Sequence, residues 1–502
     1  MAGVPRLRTD PVDVGTPSSP KGSGGAAVYT SRMRSTKIVA TVGPASRELP
    51  MLERMIAEGM DVARLNFAHG EPEQHAETVE RIRTAAEHVG REVGVLQDVP
   101  GPKLRIGPVR DGVCQLDAGS RVVLTPERIE GDPGRLPVAW LGLAEIMSPG
   151  DVAYLADGAI RLRVTEVSGG DVVTNVEVGG TVASRQGLNL PNVTMSLPAV
   201  SEDDLRLIDA GLEMGVDLIA LSFIRRREDL DPVRARLAEG GRDVPVIAKI
   251  EKPQAAANAD EIVEAADGVM VARGDLGIEL PIEEVPLVQK KILHIAGQKA
   301  KPSITATQML ESMVQSSRPT RAEVADVSNA IFDGTDAVML SQETAVGRDP
   351  AAAVHMMSQI AIATERELPY WRMLTERGLR GGDDEAAIAF GAVGAVYQLG
   401  LKALVCPTLT GKTARLISSH RPAVPVLALS PRLDVVRRCQ IYWGVHALQR
   451  EEPHETPELL AMSADAVKGA GFAAPGDKVG LTAGLPAGLS GGTNLFKVQT
   501  LD

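Results

Sequence analysis

Aromatic residues make up only 3% of this 502-residue chain, and its three cysteines (Cys114, Cys406 and Cys439) lie far apart with no CxxC or zinc-type spacing. The first shortage leaves packing to Val, Leu, Ile, Ala and Met, which suits parallel α/β architecture, where buried strands read as short aliphatic runs. The second excludes a disulfide scaffold, and an odd, sparse set of thiols fits a reducing compartment, so a cytoplasmic location is expected. A basic surplus is also missing. The net charge of −12 argues against a surface built for nucleic acid, so any anionic ligand must be held by local basic groups. Long apolar runs are missing too. The most apolar stretch, 386–405, contains Gln398 and Lys402 and is interrupted by Gly391, Gly394 and Gly400. It reads as a packed helix running into a buried strand, and no membrane segment is expected. Residues 1–30 are rich in Pro, Gly and Ser and carry Arg6, Arg8 and Asp10. With no apolar h-region they read as a disordered tail.

The length suggests about three domains. From residue 36 short aliphatic runs alternate with helix-like segments. The runs fall at 37–42, 61–66 and 93–98, and resume at 216–222, 244–250, 268–272, 303–306 and 337–340. Eight such strands, each followed by helical sequence, match a β/α eight-stranded (TIM) barrel. A doubly wound open sheet is the alternative, disfavoured because no G-x-G-x-x-G follows a strand. The gap after the third run is too long for a loop. Within it, RVVLTP (121–126), IRLRVTEV (160–167) and DVVTNVEV (171–178) alternate polar and apolar residues, which predicts an inserted antiparallel β domain over 104–188. The barrel then occupies 31–103 and 189–365. A helix near 386–398, a strand at 403–407, a helix near 414–420 and a strand at 424–430 predict a C-terminal α/β domain over 366–502.

In such a barrel the reactive groups sit at the C-terminal ends of the strands. Taken in order, those ends supply Arg64 and Asn66, Asp98, Ser222, Lys249 and Glu251, Arg273 and Asp275, Thr307, and Glu343. Any one of them alone is as readily a solvated loop charge, but the set at one mouth is not expected by chance. Glu251 and Asp275 offer two hard carboxylates on neighbouring strands, suited to Mg²⁺. Arg64, Arg105 and Lys249 offer positive charge for phosphate oxygens.

The runs TKIVATVGPAS (36–46), GMDVARLNFAHG (59–70), VIAKIEKP (246–253), VARGDLGIELP (271–281), ATQMLESM (306–313) and RPTRAEVADVSNAIFDGTDAVMLSQETAVG (318–347) resemble pyruvate kinase in family order. LNLPNVTMSLPAVSEDD (188–204), TLTGKTARLISSHRP (408–422) and GGTNLFKV (491–498) extend the likeness over nearly the whole chain beyond the tail. The resemblance implies transfer of a phosphoryl group from phosphoenolpyruvate to ADP, giving pyruvate and ATP, in a Mg²⁺-dependent homotetramer with Mn²⁺ as a possible substitute. It implies Glu251 and Asp275 as metal ligands, and Lys249, Arg64, Thr307 and Arg273 as catalytic groups. Gly274 and Thr307 would grip the substrate carboxylate, and Asn66, His69 and Arg105 would border the nucleotide. Two other readings compete: a catalytically silent metabolite sensor, and a barrel lyase acting on a pyruvate enolate.

Several positions depart from the family pattern. The Ser of N-x-S-H is Ala68, D-T-K-G-P-E reads DVPGPK (98–103), the lysine pair before G-V-N-L-P is Arg185–Gln186, and Gln342 stands where glycine is usual. Asn66 and Asp98 of the family's K⁺ site remain, while Lys103 replaces its nearby Glu. One tethered ammonium can supply the missing charge and repel a second cation, so K⁺ is not expected to be required.

The loop Thr408, Thr410, Gly411, Lys412 and Thr413 leads into a helix, an arrangement that favours anions. It differs from a nucleotide P-loop because Cys406 occupies the first glycine position, and a plain helix cap is the alternative. The resemblance implies a phosphorylated effector there. The facing loop 484–492 has no Arg or Lys, so AMP or a sugar monophosphate fits better than fructose 1,6-bisphosphate.

Overall fold

A computed structural model describes residues 34–102, 104–138, 140–191, 198–378, 383–484 and 492–502. The expected tail over 1–30, Lys103, and most of the 484–492 loop lie outside the described residues.

Eight parallel strands close into a barrel. In chain order they are β1 (Lys37–Thr41), β2 (Val62–Asn66) and β3 (Gly94–Val99), then, after an insertion carrying β4 to β11, β12 (Leu218–Leu221), β13 (Val246–Ile250), β14 (Gly268–Ala272), β15 (Ser303–Ala306) and β16 (Ala337–Leu340). β1 closes on β16 with Lys37 opposite Ala337 and Leu340 opposite Ala40. The strands are buried on both faces, which explains why their sequences are continuous aliphatic runs. Side chains still alternate: Ile38 and Ala40 pack outward under the helices, while Val39 points into the barrel beside Val62, Leu96 and Met270.

Helix boundaries follow local chemistry. The helix Glu202–Met214 starts at a capping box in which Ser201 accepts from the Asp204 N–H at 3.1 Å, and it stops at left-handed Gly215. Thr320 and Glu323 form the same device ahead of Arg321–Phe332. Each cap is worth about 1 kcal/mol. Both fix how the chain enters the helix behind a site-bearing strand.

The insertion folds as β4 (Val113–Leu116), β5 (Arg121–Thr125), β6 (Arg135–Pro137), β7 (Val152–Leu155), β8 (Ile160–Ser168), β9 (Asp171–Val178), β10 (Gly180–Ala183) and β11 (Leu188–Asn189). Its main sheet runs β11-β7-β8-β9-β5-β6 and is antiparallel except for the parallel pair β5–β6. At the chain's end, β17 (Leu404–Pro407), β18 (Val426–Ser430), β19 (Val445–Gln449), β20 (Lys478–Ala483) and β21 (Leu495–Thr500) form a five-stranded sheet in the order β19-β18-β17-β20-β21, with β21 antiparallel. The apolar stretch at 386–405 resolves into helix Asp384–Leu399 and strand β17. No helix among the described residues is long and apolar enough to cross a membrane. The barrel interior is continuous with this last sheet domain, since Cys439, Ile441 and Tyr442 join the same apolar cluster as Val39 and Met270.

Candidate active site

The ends of β2, β3, β12 and β13 bring one charged group together. Arg64 donates from Nε to Asp98 at 2.7 Å and from Nη1 to the Thr41 hydroxyl at 2.8 Å. Lys249 donates to the other Asp98 oxygen at 3.0 Å and to Ser222 Oγ at 2.7 Å. Ser222 in turn donates to the Val99 carbonyl at 2.7 Å. This fixes the ammonium at the mouth with no slack in its tether. Burial alone would raise the Asp98 carboxyl, but Lys249 and Arg64 hold it below the ordinary carboxylate range. Burial likewise pushes Lys249 down, and Asp98 with Glu251 more than reverses this, so its pKa is raised and it stays an ammonium.

Glu251 is only 1% exposed. Its Oε2 accepts from the Phe223 N–H at 2.9 Å. Its Oε1 lies 2.9 Å from Lys249 Nζ without hydrogen-bond geometry, and so is buried with no hydrogen-bond partner among the described residues. Burial and then Asp275 push its carboxyl up against the pull of Lys249. Three carboxylates (Asp98, Glu251 and Asp275) thus act on two cations (Arg64 and Lys249). A buried carboxylate whose Oε1 meets only the Lys249 ammonium, within a net negative cluster, fits a divalent cation, and a cation that keeps waters and substrate oxygens needs no third protein carboxylate.

Thr307 follows β15 in a conformation rare for a β-branched residue, with φ 73°, and Gln308 after it has φ 54°. Three bonds hold the turn. Thr307 Oγ1 accepts from the Gly274 N–H at 2.7 Å, and Arg273 donates to the Thr307 carbonyl at 2.8 Å and, more weakly, to that of Ala306 at 3.4 Å. The Arg273 guanidinium is itself paired with Asp326 at 2.7 Å. In this structure Arg273, expected among the catalytic groups, braces the Thr307 turn from behind. Its reach across to helix Arg321–Phe332 carried no signal in the sequence. The Gly274 N–H, expected to grip a carboxylate, is here bonded to Thr307. Glu343 is fully buried and ties two loops through the Leu310 and Ser341 N–H groups.

Asn66 and His69 share the loop after β2. Asn66 Oδ1 accepts from the Ala68 N–H at 3.2 Å, and the His69 carbonyl meets His75 Nε2 at 2.8 Å. Arg105 is exposed on the crossover into the inserted sheet and donates to the Arg185 carbonyl at 3.2 Å. The structure does not bring it into the Arg64–Lys249 cluster.

In the last domain, Thr408, Thr410, Lys412 and Thr413 line a cavity of about 310 Å³. Gly411 sits left-handed at φ 84° and donates to Thr408 Oγ1 at 2.9 Å. Lys412 pairs with Glu385, and Thr413 bonds Thr493 at 2.7 Å. Arg450 lines another part of the cavity beside Glu451 and Glu452. Arg450 and Glu385 went unrecognised because they are distant from the loop in sequence.

A family model described as "Pyruvate kinase, barrel domain" matches residues 33–354, and one described as "Pyruvate kinase, alpha/beta domain" matches 386–499. Among curated relatives, a pyruvate kinase of Geobacillus stearothermophilus is 43% identical over 93% of this chain and 80% of its own length. One of Thermococcus litoralis is 42% identical over 92% of this chain and 98% of its own. One of Corynebacterium glutamicum is 41% identical over 93% and 98%. The chain belongs to the pyruvate kinase family.

Proposed function

We propose that the barrel mouth moves the phosphoryl group of phosphoenolpyruvate to ADP, with Lys249 as its electrostatic centre. The observation that carries this reading is a buried ammonium held rigidly by Asp98 and Ser222 beside the buried Glu251 carboxylate, in a cluster with one negative charge to spare. As the bond from phosphorus to the enol oxygen breaks and a new one forms to the terminal oxygen of ADP, negative charge grows on the enolate. A fixed ammonium stabilises that charge more than it stabilises the ground state, and needs no reorganisation to do so. Arg64 would hold phosphate oxygens. The Gly274 N–H and Thr307 would grip the carboxylate, exchanging their mutual bond for the substrate. Thr307 would pass a proton through water to the enolate carbon, completing pyruvate.

The family's divalent-metal dependence fits Glu251 and Asp275 as the holders of Mg²⁺, or Mn²⁺ in its place. A bound cation would supply charge neutralisation for the phosphoryl and enolate oxygens. Asn66, His69 and Arg105 would border the nucleotide, Arg105 moving in with the inserted sheet (104–188) as it closes over the barrel (31–103 and 189–365) and excludes water. Asn66, Asp98 and Lys103 would form a monovalent-cation site in which the Lys103 ammonium replaces K⁺. Turnover in potassium-free, sodium-free buffer with tetramethylammonium should then stay within a small factor of that in KCl, and strong K⁺ stimulation would sink the idea.

The C-terminal domain (366–502) would take a phosphorylated effector on Thr408, Thr410, Gly411, Lys412 and Thr413 once Lys412 leaves Glu385. Arg450 adds a second cation, but Glu451 and Glu452 beside it disfavour a second phosphate. AMP or a sugar monophosphate remains preferred over fructose 1,6-bisphosphate. The assembly would be a cytoplasmic homotetramer. A coupled assay for pyruvate from phosphoenolpyruvate and ADP separates this reading from a silent sensor, which would bind without turnover, and from an enolate lyase, which would not need ADP.

A further inference from the structure

Glu251 and Asp275 carry like charge and repel one another. Before a cation arrives, other contacts must hold them in place. Lys252 directly follows Glu251, and its buried ammonium meets Glu279 Oε1 at 2.5 Å. Glu279 ends the helix Arg273–Glu279, four residues beyond Asp275 and on the same face. The pair therefore links the loop after β13 to the helix after β14, one metal carboxylate on each side.

Further contacts converge on this pair. The Lys252 ammonium lies 5.5 Å from the centroid of the Phe223 ring, a cation–π distance. Phe223 has φ 57° and supplies the N–H that holds Glu251 Oε2 at 2.9 Å. Both crossovers into the inserted sheet also end here. On the outgoing one, a Cβ at Gly101 would lie 3.1 Å from the Phe223 ring, and on the returning one buried Asn189 lies close enough to Glu279 to pull down a carboxyl that burial raises. Replacing a buried ion pair by apolar residues is often neutral for stability, so stability alone does not account for this one.

We propose that Lys252 and Glu279 are positioning residues whose ion pair sets the spacing of Glu251 and Asp275 for a divalent cation and ties that spacing to the hinge of the inserted sheet. This rests on the reading of Glu251 and Asp275 as metal carboxylates.

Mn²⁺ binding to the full chain, followed by electron paramagnetic resonance without substrates, tests it. Lys252→Met should weaken Mn²⁺ binding by about 10- to 100-fold, the usual effect of losing a group that orients a ligand, and Lys252→Arg should restore most of it. The double variant Lys252→Met with Glu279→Leu should melt near the wild-type temperature yet bind Mn²⁺ as weakly as the single variant, and it decides the matter if the single variant does not fold. Wild-type Mn²⁺ affinity in the double variant would overturn the proposal. Glu251→Gln is the reference. If it loses Mn²⁺ while the strut variants keep it, only the strut is wrong. If it too binds as wild type, the metal reading falls and takes the strut with it.

Discussion

The two ends of the barrel each bury a cluster of charge, and they differ in the sign of the charge left over. At the N-terminal end, Asp61 just before β2 accepts from the Ile38 N–H at 2.8 Å and pairs with Arg34 at 2.8 Å and Arg91 at 3.2 Å. Burial would raise its carboxyl, but Arg34, Lys37 and Arg91 hold it below the ordinary range. Glu365 nearby takes the Ser35 and Thr36 N–H groups at 2.8 and 2.7 Å. Burial pushes the Glu365 carboxyl up, as it does that of Glu251 at the C-terminal end, where Asp98, Glu251 and Asp275 act on Arg64 and Lys249. Both clusters have the composition of a functional site. The first sets three cations (Arg34, Lys37 and Arg91) against two carboxylates (Asp61 and Glu365), and the second sets three carboxylates against two cations. Only the second therefore has a surplus that a divalent cation would offset, which agrees with the general division of such barrels into a stabilising face and a reactive face. Charge density alone does not identify the active end; the sign of the surplus and the position at the strand ends do.

Glu251→Gln should separate the ends most strongly. Turnover should fall by about 10³-fold or more through loss of metal-assisted charge neutralisation, while the melting temperature holds or rises because a poorly satisfied buried charge is gone. Steady-state kinetics and calorimetry on one preparation check both halves. Asp61→Asn should do the reverse. It leaves Arg34 and Lys37 buried without their carboxylate, a loss of about 3–5 kcal/mol in stability, with turnover per folded molecule kept. The sign of its pH dependence follows from the lowered carboxyl. Its stabilisation is fully present above the unfolded value of about 3.9 and fades as pH falls through the lower folded value. Denaturation followed across that acid window should therefore show a flatter arm in Asp61→Asn. A smaller effect is expected at the exposed Lys412–Glu385 pair. Lys412→Glu should abolish the lowering of the apparent substrate constant by AMP, and a full response in that variant would place the effector elsewhere.

Much of this was legible in the chain. The run at 303–306 became β15 residue for residue, and 216–222 shrank only to Leu218–Leu221, because a strand buried on both faces must be aliphatic throughout. The C-terminal sheet was half seen: β19, β20 and β21 escaped notice, since β20 and β21 are fixed by pairing with each other and with β17 and not by periodicity alone. Within the site, the types and strand-end positions of Lys249, Glu251 and Asp275 could be read. The brace of Arg273 on Thr307 could not, because it depends on a positive φ and on Asp326, 53 residues away. The Phe223 N–H that orients Glu251 has no side-chain signature at all.

The most direct test of the account is Lys249→Met. The methionine fills similar space but cannot donate to Asp98 or Ser222 or stabilise an enolate oxygen. Pyruvate formation from phosphoenolpyruvate and ADP at saturating Mg²⁺ should fall by at least about 10²- to 10³-fold, with a cooperative melt and divalent-metal binding both retained. Near-normal turnover in that variant would remove Lys249 from the chemistry and contradict the assignment of the barrel mouth.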